Sequence, residues 1–131
     1  MTIAHADGSS VPKVLIADDE AMLRIVAAET LEDAGFNVSE AGDGTTALAI
    51  LTSDPSIDLL VSDIKMPGMN GIELAEAGLK LRPKLKVLLM TAYATEILPD
   101  SLRAHGLEFL RKPFDLNRLS SLALNMVGKA A

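Results

Sequence analysis

The sequence predicts an α/β fold built on a doubly wound parallel sheet, and three observations carry this prediction. Short apolar runs alternate along the chain with segments whose apolar residues recur at helical spacing. Three of these runs contain three or four consecutive apolar residues, as expected of strands that are buried on both faces of a parallel sheet. Four of the runs end in polar or ionisable side chains, at the edge where open parallel sheets bind ligands. We therefore expect five strands and five helices that cover both faces of the sheet.

Five apolar runs are predicted to form the strands, namely Lys13–Ala17, Phe36–Ala41, the run from Leu59 to Asp63, Lys84–Met90 and Leu107–Arg111. The second run contains Asn, Ser and Glu, which favours an edge position. Pro67 and Gly68 follow the third run and cannot continue a strand, because proline lacks a backbone donor and glycine tolerates positive φ. Among the common strand orders, the flavodoxin-like order 2-1-3-4-5 places the polar second strand at an edge and the Asp63 strand in the middle.

Apolar residues at helical spacing predict four of the five helices, and residues typical of helix ends predict the fourth helix along the chain. The first carries one face made of Leu23, Val26, Ala27, Thr30, Leu31 and Ala34, and ends at Gly35. The second carries Ala47, Leu48 and Leu51 and ends at Asp54-Pro55, and the third is capped by Asn70 and carries Leu74, Ala75 and Gly78. The fourth begins at Pro99 and ends at Gly106, and the last is capped by Asp115 and carries Leu119, Leu122, Ala123 and Met126.

Gly78 is unusual, because a glycine within a helix costs about 1 kcal/mol relative to alanine. We favour the interpretation that it is a tolerated small residue, and close approach of the helix to the sheet is the alternative.

The composition restricts the class of protein. The 131 residues are 49% apolar and 23% charged, which fits one compact domain rather than a disordered chain. We predict a flexible tail at residues 1–10 and a single domain at 11–131. The net charge of −6 disfavours direct nucleic-acid binding, and the lack of cysteine excludes disulfides and thiolate metal sites. No apolar run reaches the ~20 residues of a membrane span, so we expect a cytoplasmic protein without membrane contact.

Five side chains at strand ends form the candidate site. Asp18 and Asp19 follow the first strand, Asp63 the third, Thr91 the fourth and Lys112 the fifth. Because neighbouring strands lie about 4.8 Å apart, these groups can converge on one pocket. Three carboxylates repel one another strongly, and a site with oxygen ligands but no His or Cys favours Mg²⁺. A carboxylate, a divalent metal, a lysine and a hydroxyl together fit phosphoryl transfer to Asp63.

These residues and their order resemble the response-regulator receiver domain of two-component signalling. The resemblance runs from about Val11 to Val127 and rests on four motifs, which are Asp18-Asp19-Glu20, Asp63-Ile-Lys-Met-Pro-Gly-Met-Asn-Gly71, Thr91-Ala92 and Lys112-Pro113-Phe114. It implies that Asp63 accepts a phosphoryl group from a phosphohistidine on a sensor histidine kinase or a phosphotransfer protein. It also implies that phosphorylation changes the surface offered to a downstream protein target.

The resemblance further implies a role for each site residue. Asp19 and Asp63 would bind Mg²⁺ directly, Asp18 through water and Lys65 through its backbone carbonyl. Thr91 and Lys112 would contact the phosphoryl oxygens, and the bond between Lys112 and Pro113 would be cis.

Phe109 occupies the position of the family's switch aromatic, where it can act only by packing because it lacks a hydroxyl group. Lys65 and Tyr93 occupy the two positions that tune access of hydrolytic water. Their bulk leads us to expect a long-lived phosphorylated state. The segment from Tyr93 to Pro99 departs from the usual loop, so we expect a monomer or a weak dimer.

Other functions stay open at this point. A receiver fold that works without phosphorylation is one alternative. A phosphatase similar to haloacid dehalogenases is a second, although its acids would be spaced by two residues instead of adjacent as in Asp18-Asp19. A flavodoxin-like FMN carrier is a third, although aromatic residues are scarce. We expect that the protein is not an enzyme acting on other substrates, and that it catalyses only its own phosphorylation and dephosphorylation. We expect no output domain after the last helix, and therefore either a stand-alone receiver or a fragment of a longer protein.

Overall fold

The computed structural model describes residues 11–92 and 107–128, within which five strands and four helices alternate. The elements are β1 Lys13–Ala17, α1 Ala21–Asp33, β2 Asn37–Ala41, α2 Gly44–Ser53, β3 Leu59–Asp63, α3 Gly71–Leu81, β4 Lys86–Thr91, β5 Glu108–Arg111 and α4 Leu116–Met126. All five strands were predicted, and β4 begins two residues later than expected. The tail predicted at residues 1–10 and the helix predicted between Pro99 and Gly106 lie outside the described residues, so the prediction of five helices is confirmed for four.

The strands form one parallel sheet in the order β2-β1-β3-β4-β5, which confirms the predicted topology. All five residues of β3 are buried, as expected of the central strand. Alternate side chains of the strands enter two cores on opposite faces of the sheet. One core contains Leu60 and Leu89 with residues of α2 and α3, and the other contains Val61 and Leu88 with residues of α1 and α4.

The predicted apolar face of α1 is buried only along its second half. Ala27, Ala28 and Leu31 are buried, whereas Leu23 and Val26 are exposed by 43% and 39%. Leu23 and Val26 therefore share the helical face that the spacing predicts, but they lie outside the core. Helical spacing identifies the residues that share a face, but it does not indicate how far along the helix the packed neighbour extends.

Helix α3 begins with reciprocal capping. The Asn70 side chain accepts a hydrogen bond from the backbone N–H of Glu73 at 2.9 Å, and the Glu73 carboxylate accepts one from the Asn70 N–H at 2.9 Å. This arrangement satisfies two backbone donors that would otherwise lack partners and fixes where the loop after β3 ends.

Gly78 lies where α3 packs closely on its neighbours. A Cβ at this position would meet the Leu51 side chain of α2 at 3.1 Å and the Leu85 side chain at 3.2 Å. The close-approach interpretation is therefore supported over the one that we favoured, although the contact is with α2 and with Leu85, just before β4, rather than with the sheet. No helix in the described part of the chain is long and apolar enough to cross a bilayer.

Candidate functional site

Three carboxylates meet at the carboxyl edge of the sheet. Asp18 and Asp19 follow β1, and Asp63 is the last residue of β3. Since β1 and β3 are paired with Ala17 opposite Ser62, Asp18 and Asp63 continue two adjacent strands in register. Each of the three residues offers an oxygen that lies within 4.8 Å of the other two. Asp18 and Asp63 are buried, with 2% and 8% of their surface exposed, whereas Asp19 is exposed.

Lys112 brings a positive charge into this cluster from the end of the edge strand β5. It follows β5, and its Nζ lies 3.3 Å from Oδ2 of Asp63 and 3.8 Å from Oδ2 of Asp18. The backbone N–H of Lys112 donates a hydrogen bond to the carbonyl of Thr91 at 2.7 Å. The peptide bond between Lys112 and Pro113 is cis, which is the geometry that the resemblance implies.

The other predicted site residues differ in their location and in their exposure to solvent. Thr91 ends β4 at the same edge and is buried, with 5% of its surface exposed. Phe109 lies in β5 opposite Leu89 and is 37% exposed. Lys65 is exposed on the loop after β3, and Tyr93 lies outside the described residues.

The pKa of Asp63 is raised above its usual value, and burial of the carboxyl group is the main cause. The negative charges of Asp18 and Asp19 raise it further, while the Lys112 ammonium and its hydrogen bond act in the opposite direction. Ionisation of Asp63 is therefore less favourable in this pocket than in water, and additional positive charge would favour it.

The donor set fits a magnesium ion. Three carboxylates that approach one another within 4.8 Å, without histidine or cysteine, are hard oxygen ligands of the kind that Mg²⁺ prefers. A divalent cation would also offset the mutual repulsion of the carboxylates and the raised pKa of Asp63.

The loop after β3 is held close to Asp63 by backbone contacts. The N–H of Ile64 donates to the carbonyl of Met90 at 3.0 Å, and the N–H of Gly71 donates to the carbonyl of Ile64 at 2.9 Å. A Cβ on Gly71 would overlap the carbonyl oxygen of Asp63, so the start of α3 can approach this strand end only with glycine. Gly68, in the turn between them, has a φ of +71°, a conformation that favours glycine.

Asp18 is fixed by contacts that the sequence did not indicate. Its N–H donates to the carbonyl of Ala41 at 3.1 Å, and its Oδ1 accepts from the N–H of Glu20 at 2.9 Å. Its backbone carbonyl accepts from Nη1 of Arg24 at 2.7 Å, and Nε of the same guanidinium donates to Glu40 at 3.1 Å. The sequence shows only that Arg24 lies one turn into the helix that follows an acidic strand end. Solvated helix faces share this pattern, so it does not indicate a contact with Asp18.

An apolar groove of about 440 Å³ adjoins the site between the start of α1 and the segment after β5. Leu23 and Val26 line one side of it, and Pro113 and Leu116 line the other, with Lys112 also in its wall. Met22 and Ile25 extend the exposed apolar surface of α1, with 75% and 46% of their surface exposed. Large apolar side chains are therefore exposed in a cluster next to the lysine of the site.

Comparison with known families gives one match, to the family described as the response regulator receiver domain, over residues 14–123. Among curated proteins, the chain is 37% identical to the response regulator receiver protein CpdR of Brucella abortus, over 82% of this chain and 89% of that protein. It is 33% identical to sporulation initiation phosphotransferase F of Bacillus subtilis, over 82% and 86% of the two chains. It is also 38% identical to the C4-dicarboxylate transport transcriptional regulatory protein DctD of Rhizobium meliloti, over 85% of this chain but only 24% of that protein.

Solved structures agree with this family match. A response regulator receiver domain protein from Clostridium thermocellum superposes with a TM-score of 0.80 at 28% identity, covering 91% of this chain and 96% of that one. The receiver domain of the hybrid histidine kinase CckA superposes with a TM-score of 0.75 at 33% identity, covering 88% and 98% of the two chains.

Proposed function

Because the chain belongs to the response-regulator receiver domain family of two-component systems, we propose that it accepts a phosphoryl group on Asp63 within a two-component system or phosphorelay. The observation that carries this proposal is the convergence of Asp63 with two further carboxylates and one lysine at the carboxyl edge of the sheet. Of the three carboxylates, Asp63 is both the one at the end of the central strand and the one closest to the Lys112 ammonium.

In the proposed reaction, a carboxylate oxygen of Asp63 forms a bond to phosphorus as the bond between phosphorus and the donor histidine nitrogen breaks. The electron pair of that bond leaves with the imidazole. Asp19 and Asp63 would hold Mg²⁺ directly, with Asp18 through water and the backbone carbonyl of Lys65 as a further ligand. When bound, Mg²⁺ would neutralise the phosphoryl oxygens and favour the ionised form of Asp63, which is the nucleophilic form.

Lys112 would contribute the second positive charge. Its ammonium already lies 3.3 Å from Asp63, so a phosphoryl group attached there would fall within its reach. Because the Lys112 N–H is bonded to the Thr91 carbonyl, Lys112 and Thr91 are positioned together. We propose that Thr91 donates its hydroxyl to the phosphoryl oxygens and that Phe109 repacks in response, which changes the surface offered to a downstream target.

The phosphoryl donor is proposed to be a protein, either a sensor histidine kinase or a histidine phosphotransfer protein. Asp63 is only 8% exposed, so the donor histidine must enter the pocket while the rest of the donor rests on the surrounding surface. The exposed apolar residues of α1 and the groove beside Lys112 supply such a surface. Similar relatives include the sensor kinase CckA of Brucella abortus and a protein named as a phosphotransferase, which supports exchange with such donors.

We further propose that the only reactions this domain catalyses are its own phosphorylation and dephosphorylation. Lys65, next to the pocket, and Tyr93 would hinder access of hydrolytic water, which would prolong the phosphorylated state. The rate at which the phosphoryl group is lost from wild type and from a Lys65→Ala/Tyr93→Ala variant measures this directly, and equal rates would refute it.

The proposal is tested by intact mass after incubation with acetyl phosphate, with and without Mg²⁺. We expect one phosphoryl adduct on wild type that depends on Mg²⁺ and is absent from Asp63→Asn. Asp54→Asn is the matched control, because it makes the same chemical change at the amino edge of the sheet and should keep the adduct. No adduct on wild type at any Mg²⁺ concentration would refute the proposal and favour a receiver fold that acts without phosphorylation.

A further inference from the structure

Arg24 is bound to the backbone between the two adjacent acids of the site. The carbonyl that accepts its Nη1 hydrogen bond belongs to the peptide group that joins Asp18 to Asp19. We propose that Arg24 is a positioning residue of the metal site, which fixes this peptide group and thereby the direction of both carboxylates. The inference rests on the proposed function only in taking Mg²⁺ as the ion that these carboxylates bind.

The two acids need this support to different degrees. Asp18 is buried and is also held through its N–H and its Oδ1, so its side chain has little freedom. Asp19 is exposed, so packing restrains it weakly. The orientation of Asp19 therefore depends mainly on the peptide group that precedes it, and Arg24 restrains that group through a charged hydrogen bond of 2.7 Å.

Arg24 can act in this way because it is itself anchored on a second element. Its Nε donates to Glu40 on the edge strand β2 at 3.1 Å, while its Nη1 reaches the loop after β1. The planar guanidinium offers donors in two fixed directions, and a lysine cannot satisfy both acceptors in the same geometry. Gly42 packs beside this guanidinium, where a Cβ would lie 3.4 Å from Nη1 of Arg24, an ordinary van der Waals distance.

The chain contains a matched control for this role. Arg82 also donates from its guanidinium to backbone carbonyls, those of Asp54 and Ile57. Ile57 lies just before β3 begins, at the amino edge of the sheet, whereas the metal site lies at the carboxyl edge. Loss of Arg82 therefore removes the same kind of contact to backbone carbonyls without touching the acidic cluster.

The experiment measures Mg²⁺ affinity by isothermal titration calorimetry for wild type, Arg24→Ala, Arg24→Lys, Glu40→Gln and Arg82→Ala, after thermal unfolding has shown that each variant is folded. We expect Arg24→Ala to bind Mg²⁺ about tenfold more weakly, as is typical when a residue that supports metal ligands is removed. Arg24→Lys should fall between Arg24→Ala and wild type, Glu40→Gln should weaken binding less than Arg24→Ala, and Arg82→Ala should bind as wild type does.

Unchanged Mg²⁺ affinity in both Arg24 variants would overturn the inference while leaving the proposed function intact. An equal loss in Arg82→Ala would also overturn it, because the effect would then follow overall stability rather than the position of Arg24. A wild-type protein that binds no Mg²⁺ would overturn both the inference and the proposed metal site.

Discussion

Replacing Asp63 by Asn should stabilise the metal-free protein at neutral pH, although it removes the proposed phosphoacceptor. Asn has nearly the same shape as Asp, so packing around residue 63 is preserved while its charge is lost. The native pocket raises the pKa of Asp63, which means that folding is opposed by ionisation of this one group. The substitution removes that opposition.

The size of the effect follows from the distances in the cluster. At an effective dielectric constant near 20, charges separated by the 4.8 Å limit of the cluster repel by about 3.5 kcal/mol, and the 3.3 Å contact with Lys112 attracts by about 5 kcal/mol. These two terms largely offset each other, and the exposed Asp19 adds a weaker repulsion. Burial of the ionised carboxylate, typically several kcal/mol, therefore decides the sign.

A buried Asn amide has its own burial cost of about 1–3 kcal/mol, so we expect a net gain of about 1–2 kcal/mol. For a domain of 131 residues this corresponds to a rise in melting temperature of roughly 4 °C per kcal/mol.

The assay is thermal unfolding of wild type and Asp63→Asn in EDTA between pH 4 and pH 8. Because the native pKa of Asp63 lies above the usual value of 3.8, wild type loses stability as pH rises from that value through the native pKa. The advantage of the variant should therefore be largest at neutral pH and shrink towards pH 4.

Mg²⁺ at a hundred times the wild-type dissociation constant should then stabilise wild type by about 2.7 kcal/mol, provided that the unfolded chain does not bind the ion, and it should stabilise the variant less. A variant that is no more stable than wild type in EDTA at pH 7 would refute the reasoning.

Three further predictions follow from contacts in other parts of the structure. Asp54→Asn should destabilise the protein at neutral pH, because hydrogen bonds from Ser56 and Lys13 lower the pKa of Asp54 to about 2. The difference in stability between variant and wild type should vanish as pH falls from about 4 towards 2. Urea unfolding across this pH range measures that difference. Gly71→Ala should lower the free energy of unfolding by about 1–3 kcal/mol and slow phosphorylation by acetyl phosphate, because the new Cβ would displace the Asp63 carbonyl. Gly128→Ala, far from the pocket, should leave the rate of phosphorylation unchanged. Leu23→Asp should slow phosphoryl transfer from a protein donor about tenfold and leave the reaction with acetyl phosphate unchanged, because Leu23 is exposed beside the groove rather than in the core; equal rates with both donors would contradict the proposed docking surface.

The sheet and its acidic edge could be predicted because each depends on local patterns. The apolar run Leu59–Val61 before Asp63 indicates a buried strand, and the polar second run indicates an edge. Burial therefore selects the order 2-1-3-4-5 from among the common orders of doubly wound sheets. Convergence of Asp18, Asp63 and Lys112 then follows from the geometry of parallel strands, since every strand end after a crossover lies at the same edge.

The role of Arg24 could not be predicted, because its two partners are a backbone carbonyl and a carboxylate on another strand. Every residue has a backbone carbonyl, so the sequence does not indicate which one accepts a hydrogen bond from Arg24. An arginine on the first turns of a helix is, moreover, usually solvated. The contact with Glu40 depends on the spacing between β2 and α1, which becomes known only when both elements are placed. Gly78 presents the same difficulty, since the partner that limits its size is Leu51 of another helix.

The first half of α1 shows why apolar periodicity alone does not distinguish core from surface. Leu23 and Val26 share helical spacing with Ala27 and Leu31, yet the first pair is exposed and the second pair is buried. A surface that binds a partner is selected for the same apolar character as a core, so residue type cannot separate the two. What separates them here is position along the helix, because Leu23 and Val26 line the groove beside Lys112, whereas Leu31, about two turns farther along, is buried in the core. In this chain, the apolar face of α1 is therefore surface near the acidic strand end and core farther along the helix.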